Sequence, residues 1–229
     1  GWILMPEFKT LNAIVLGAKA LGENAFVLSL LTRENGRHLG VIKRKSPPQI
    51  GDIVSARWNA RLPEQMGNFY IESLHTTAAP FLDDMGRLNC LSCLCELLNL
   101  TLPERQNFQK IYEEVFLFLN KLSNEDYLIH YIFLEVNLLT ALGFGLDLSE
   151  CAGGGNKNDL AYVSPKTGRA VSQEKGVPYH KQLLPLPRFL WQDAPATKED
   201  IQKALNLTGY FLRQHTIRGV LPRAREFLK

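Results

Sequence analysis

The stretch that decides the fold runs from Asn12 to His75, where five short runs follow one another: Asn12–Gly17 (NAIVLG), Ala25–Thr32 (AFVLSLLT), Arg37–Lys43 (RHLGVIK), Gly51–Ala60 (GDIVSARWNA) and Gly67–His75 (GNFYIESLH). Between them stand Gly22-Glu23-Asn24, Glu34-Asn35-Gly36, Pro47-Pro48-Gln49 and Pro63-Glu64-Gln65, residues that terminate strands and make turns. Short apolar-alternating runs at this spacing predict a sandwich or a barrel. Five is the strand count of an OB-fold, whose open face commonly holds single-stranded nucleic acid. Function is therefore expected on a binding face, not in a catalytic pocket.

After His75 the period changes from two to helical, and three helices fit: Phe81–Leu102, Asn107–Leu122 and Glu125–Leu142. Pro80 suits a first helical turn, and Gly143 suits a C-terminal cap. From Asp147 to Pro187 the texture is irregular, with Gly153-Gly154-Gly155, a hairpin (Ala161–Ser164, turn Pro165–Gly168, Arg169–Ser172) and a proline-rich run at Leu184–Pro187. A last helix begins at Thr197, where Asp200 three residues on forms a capping-box pattern, and a short helix follows Pro222. The predicted class is α+β, with a five-stranded OB barrel over residues 1–79. An α-helical domain over residues 80–229 carries an irregular insertion at about 147–187.

Charge is unevenly distributed. Residues 1–79 carry nine Lys/Arg against six Asp/Glu, residues 80–150 four against eleven, and residues 151–229 thirteen against six. Basic ends attract polyanions and an acidic middle repels them, so a nucleic acid is expected at the ends. The opening GWILMPEFKT has four apolar residues before Pro6, too few for a secretory h-region, and Met5 is a candidate natural start. Tyr127–Phe144 is the most apolar segment, but His130, Glu135 and Asn137 interrupt it, which argues for a buried helix over a membrane span. Cys90, Cys93 and Cys95 crowd into six residues and Cys151 stands apart, a pattern of reduced thiols in a cytoplasmic protein.

Arg33, Arg37, His38, Lys43, Arg44, Lys45, Arg57 and Arg61 lie in or beside the predicted strands, where they could line a phosphate track. Trp58, Phe69 and Tyr70 are the available stacking platforms; the bland alternative is that charges keep strand ends soluble and aromatics fill the barrel. The cluster Lys43-Arg44-Lys45 favours DNA, because neighbouring charges contribute several phosphate contacts together. Zinc on Cys90, Cys93 and Cys95 is disfavoured, since a tetrahedral site needs four ligands and buried thiols pack as small hydrophobes. Gly153–Gly155 lacks the Gly-Lys-Ser/Thr ending of a phosphate loop, and His130 and Glu135 are spaced off one helix face.

Three segments carry a resemblance to the RecO family of bacterial recombination mediators, and their order covers nearly the whole chain. Ala13–Gly17 with Gly22–Asn24 and Leu31–Arg37 resembles the family's first hairpins. Phe133–Gly155 (FLEVNLLTALGFGLDLSECAGGG) resembles its central helix and exit turn, and Tyr162–Ser172 (YVSPKTGRAVS) is similar to the proteobacterial members. The resemblance implies a non-enzymatic mediator of DNA repair, with no cofactor. Such a protein binds single- and double-stranded DNA, contacts the tail of the single-stranded-DNA-binding protein SSB, and joins RecR to help load RecA; several members anneal strands. Many members hold zinc with two Cys-x-x-Cys pairs near the position of Cys151. Here Gly154 stands where the second cysteine would, so that site is expected to be absent, and Lys43–Gln49 is shorter than the family's basic loop. Arg213, Arg218, Arg223 and Arg225 stand among apolar residues, a combination suited to the acidic and aromatic SSB tail or to duplex phosphate. The rival readings are a protein-interaction adaptor without DNA binding and a metal-dependent nuclease, the latter needing clustered carboxylates.

Overall fold

A computed structural model describes residues 4–229, so Gly1–Ile3, on which part of the reading of the N-terminus rests, lie outside the described residues. The chain divides into two units, Gly1–Leu122 with Pro222–Phe227, and Ser123–Leu221 with Leu228–Lys229. The expected boundary at 79/80 marks where strands give way to helices, whereas the units divide after Leu122.

The first unit is built on β1 (Glu7–Ala20), β2 (Ala25–Thr32), β3 (Gly36–Lys43), β4 (Ile53–Asn59) and β5 (Asn68–His75), closed in the order β1-β2-β3-β5-β4. The five expected runs are all strands, and β1 is longer than its run because Glu7–Leu11 also pair or bulge within the sheet. The N-terminal half of β1 pairs with β4 and its C-terminal half with β2, with register shifts between Thr10 and Ala13 and between Val15 and Gly17. Such bulges bend a strand and increase its twist, which lets one strand serve both sides of a closing sheet. Asn12, in the first bulge, has φ 52°. The β2–β3 hairpin turns at Thr32, whose Oγ1 accepts the Asn35 N–H and donates to the Gly36 carbonyl.

Alternation fills the barrel. Val15, Leu28, Leu30, Ile42, Val54 and Trp58 point inward and are almost wholly buried. Burial of one such side chain stabilises by roughly 1.5–3 kcal/mol. On β3 the inward positions are His38, Gly40 and Ile42. Gly40 has no Cβ because one there would lie 2.5 Å from the Phe69 ring. His38 is thus a core residue and not a surface contact: it is 4% exposed, with ring centroids 5.0 Å from Phe8 and 4.6 Å from Trp58. Trp58 donates from its indole N–H to the Met66 carbonyl, so the aromatic end of the barrel also ties down the β4–β5 loop.

Helix α1 (Met85–Thr101) follows a 3₁₀ turn at Ala79–Phe81, so Pro80 opens that turn and not the helix. The helix starts later than expected because Asp84 caps it, accepting the Arg87 N–H. Cys90, Cys93 and Cys95 are fully buried on α1, and burial pushes the Cys95 thiol up to about 12. The α1 terminus is fixed to the barrel by Arg37, whose Nε donates to the Leu102 carbonyl at 2.7 Å and whose Nη1 reaches Asn99 Oδ1 at 3.4 Å. Helix α2 (Gln109–Asn120) adds Tyr112, which donates to the Asn12 carbonyl in the first bulge. The turn after Pro222, Arg223–Phe227, packs on α1.

In the second unit α3 (Tyr127–Ala141) packs on α5 (Lys198–Leu212). Glu135 is buried on α3 and accepts from Thr208 of α5 at 3.4 Å, while His130 pairs with Asp126 one turn away at 3.2 Å. The Thr197/Asp200 capping box is present at the α5 terminus. The expected hairpin is β6 (Leu160–Val163) with β7 (Ala170–Ser172), which leads into a short helix α4 (Gln173–Gly176). The proline-rich run adds β8 (Leu184–Pro185) on the outer side of β6, an edge position that tolerates proline.

Burial lowers the His38 pKa, with the nearby Arg105 charge acting in the same direction. A histidine with a depressed folded pKa contributes stability that is complete above its unfolded value of about 6.5 and is lost as pH falls below it. Chemical denaturation at pH 7.5 and pH 5 is expected to show lower stability at pH 5, with a smaller pH difference in His38→Gln. For Arg37, Arg37→Ala leaves the Leu102 carbonyl without its charged donor and is expected to cost about 1–3 kcal/mol in the same measurement. Arg37→Lys is not expected to restore it, because a lysine has no guanidinium fork to reach both acceptors.

Candidate nucleic-acid interface

The seam where the barrel closes is its weakest ladder. β3 and β5 run parallel and share one Cα pair, Val41 with Asn68, reinforced by the Val41 N–H donating to the Gly67 carbonyl. Beyond Val41, β3 stays with β2, ending at the Ala25–Lys43 pair, while β5 stays with β4. The gap is a cleft of about 480 Å³ lined by Lys43, Arg44, Asn68, Tyr70 and the flanking apolar residues.

Lys43 and Arg44 of the basic triplet line this cleft, and Lys45 follows them directly in the chain. Lys43, Arg44 and Lys45 are all exposed, and the Arg44 N–H donates to the Asn24 carbonyl, which holds the triplet against the β1–β2 turn. The shortness of the loop that follows is matched by firm anchoring. Asp52 Oδ2 accepts the Gln49 N–H, and the Gly51 N–H donates to the Val15 carbonyl of β1. Burial raises the Asp52 pKa.

Cross-strand register extends the positive face. Lys9, Arg57 and Tyr70 are successive Cα partners across β1, β4 and β5, so their side chains share the outer face of the barrel. All three are exposed. Lys9 was not among the residues expected from the sequence, although the alternation Glu7-Phe8-Lys9-Thr10 already places Lys9 opposite the core-facing Phe8 and Thr10. Arg57 is only partly available to an anion: its Nε lies 3.2 Å from Glu72 Oε1, and its guanidinium sits 5.6 Å from the Tyr70 ring centroid.

The remaining expected residues separate. Arg61 is exposed in the β4–β5 loop. Arg33 pairs with Glu113 of α2 at 3.2 Å, and the hydrogen bond from the Gln109 amide, followed by that from Arg33, lowers the Glu113 pKa. Arg37 and His38 are committed to the fold as described above. Trp58 and Phe69 are 4% and 3% exposed, which removes them as platforms and leaves Tyr70, 48% exposed, of the three aromatics. Inward positions on β4 and β5 explain the difference: Trp58 and Phe69 are Cα partners facing the core, and Arg57 and Tyr70 are the next pair, facing out.

The four C-terminal arginines do not form one cluster within a unit. Arg213 and Arg218 are exposed in the second unit, whereas Arg223 and Arg225 belong to the segment that packs on α1 in the first. The second unit has an aromatic cleft of about 500 Å³ that sequence reasoning missed, lined by Ile129 and Phe133 of α3 and by Phe189 and Trp191. Its signal was the density of large apolar residues in Leu186–Trp191, directly after the prolines. Cys151 is buried, its Sγ accepting the Ser172 N–H at 3.2 Å. Among the described residues no three His, Cys, Asp or Glu side chains gather where they could hold a metal ion, and no helix is long and apolar enough to cross a membrane.

Comparison with known proteins adds the family. Residues 82–222 match the family model described as "Recombination protein O C terminal". The chain is 41% identical over 212 residues to the DNA repair protein RecO of Rhodospirillum centenum, an alignment covering 89% of this chain and 85% of that protein. It is 39% identical over 233 residues to the DNA repair protein RecO of Rhodospirillum rubrum, covering 94% and 92%, and 41% identical over 216 residues to that of Bartonella tribocorum, covering 89% and 86%. A family model matching more than half the chain, and relatives aligned along most of its length, lead to one conclusion: the chain belongs to the RecO family of DNA repair proteins.

Proposed function

We propose that this protein is a non-catalytic recombination mediator that binds DNA on the outer face of its barrel and recruits protein partners in gap and double-strand-break repair. The observation that carries the DNA part is the exposed Lys43-Arg44-Lys45 triplet, whose first two residues line the open β3–β5 seam, with the exposed Lys9 on the outer face of the barrel. Three adjacent cations that form no salt bridge among the described residues can each displace a counterion from a phosphate chain. The surface accepts single strands and, through phosphate contact alone, duplex DNA.

The second unit supplies the partner contacts in this reading. Its exposed Arg213 and Arg218 and its aromatic cleft offer the two chemistries that an SSB tail with acidic and aromatic residues requires. RecR joins the same protein, and together they help load RecA and anneal strands at the cytoplasmic nucleoid. These partners rest on the family resemblance. The adaptor that touches no DNA is the rival, and the nuclease reading is disfavoured by the lack of grouped carboxylates among the described residues.

The test is fluorescence anisotropy of a labelled oligothymidine at several salt concentrations. Wild-type affinity is expected to fall steeply with salt, and Lys43/Arg44/Lys45→Ala to bind more weakly, with the slope of log K against log salt shallower by about 2. Binding absent even at low salt in the wild type would leave the adaptor as the reading. A second expectation concerns the carboxylate paired with Arg57 beside the track: Glu72→Gln removes repulsion and releases Arg57, so it should tighten oligothymidine binding severalfold at low salt and steepen the slope. Charge reversal at Arg213 and Arg218 should weaken binding of an SSB-tail peptide and leave oligothymidine binding unchanged.

A further inference from the structure

Tyr70 is an exposed aromatic ring restrained on one side by its strand neighbour and open to the seam on the other. Its Cα partner Arg57 stands beside it across the β4–β5 ladder, with the guanidinium 5.6 Å from the ring centroid. Arg57 is held in turn by Glu72, 3.2 Å away. On the other side the ring borders the open seam, opposite Lys43 and Arg44 and next to the exposed amide of Asn68. A ring on a strand, restrained by a cation that is itself ion-paired, loses little freedom on meeting a flat ligand.

We propose that the cleft between β3 and β5 is a pocket for an unpaired nucleobase, with Tyr70 as its stacking platform, Lys43 and Arg44 on the flanking phosphates, and Arg57 positioning the ring. The proposal rests on the DNA-binding reading above and adds to it a reason for discriminating single strands from duplex: a paired base cannot leave its stack to enter the cleft without an unpairing cost. The dimensions agree, since about 480 Å³ lies within the range of pockets that take small planar ligands. The chemistry also agrees. Base–aromatic stacking is sequence-tolerant because every base has a π-face, and a nearby arginine adds a cation–π contribution. The Asn68 amide offers both a donor and an acceptor to a base edge. Arg57 acts through Tyr70, since its charge is already matched by Glu72; it is a positioning residue and contributes little to the phosphate track.

The experiment compares a labelled oligothymidine with an abasic oligomer of the same length, which keeps the phosphates and lacks the bases. Wild-type protein should bind oligothymidine more tightly than the abasic oligomer. Tyr70→Ala should lower oligothymidine affinity about five- to a hundredfold, leave abasic binding unchanged and abolish the difference between the two. Tyr70→Phe should keep most of the preference. Arg57→Ala should reduce the preference without changing the salt slope, a result that a phosphate contact at Arg57 would not give. Because Tyr70 and Arg57 point away from the barrel core, a circular-dichroism melt should show both variants folded. Equal binding of the two oligomers by wild type, with Tyr70→Ala indistinguishable from it, would overturn the pocket and leave the DNA reading standing. Salt-dependent binding of neither oligomer would overturn both.

Discussion

The barrel exists because one strand pairs twice. β1 gives its first half to β4 and its second half to β2, and the two bulges between Thr10 and Gly17 supply the bend that this requires. Closure then leaves β3 and β5 facing each other in parallel, where the strands' twist permits a single Cα pair before they diverge. The open seam is thus a consequence of how the sheet closes, and it sets where a ligand can approach backbone and side chains together. Tyr112 bonding to the Asn12 carbonyl shows the same dependence from outside, since α2 is fastened to the bulge that makes closure possible.

The basic residues of the barrel divide by what they face. Where an arginine meets a helix of the same unit it becomes part of the fold, as Arg37 does at the α1 terminus and Arg33 does with Glu113. An exposed ion pair such as Arg33–Glu113 adds little stability, but it occupies the charge that a phosphate would use. Where a cation meets the seam or the outer sheet face and forms no salt bridge among the described residues, it remains available, as at Lys43, Lys45 and the exposed Arg44, whose charge is felt by Asp52 without an ion pair. Arg57 is intermediate: bonded to Glu72 and beside Tyr70, it orders an aromatic surface and adds little charge.

Much of the strand and helix order was legible because period-two and helical spacing report which side of an element is buried. The inward setting of Trp58 and the outward setting of Arg57 follow from alternation alone, and the capping box at Thr197 was readable as a local pattern. Helix α1 was harder, since Pro80 and Asp84 are both start signals, and only the structure shows that the first opens a 3₁₀ turn and the second the helix. His38 stands among the residues expected on the phosphate track because it lies in a predicted strand, yet β3 alternation places it inward with Gly40 and Ile42. On this inward position burial disfavours the charged form of the His38 ring, which packs as an aromatic against Phe8 and Trp58.

What the sequence by itself determined is local: five strands of a given polarity, the helices that follow, and a cluster of three cations adjacent in the chain. Each depends on residues within a few positions of one another. Which cations share a surface was decided by register between strands distant in sequence. Lys9 meets Arg57, and Arg57 meets Tyr70, only because β1, β4 and β5 are aligned by the bulges and by core packing. The division of Arg213 and Arg218 from Arg223 and Arg225 was likewise tertiary, set by the packing of the last turn on α1. Side-chain period is a property of one strand, whereas a binding face is a property of the ladder between strands, and the ladder is fixed only when the barrel closes.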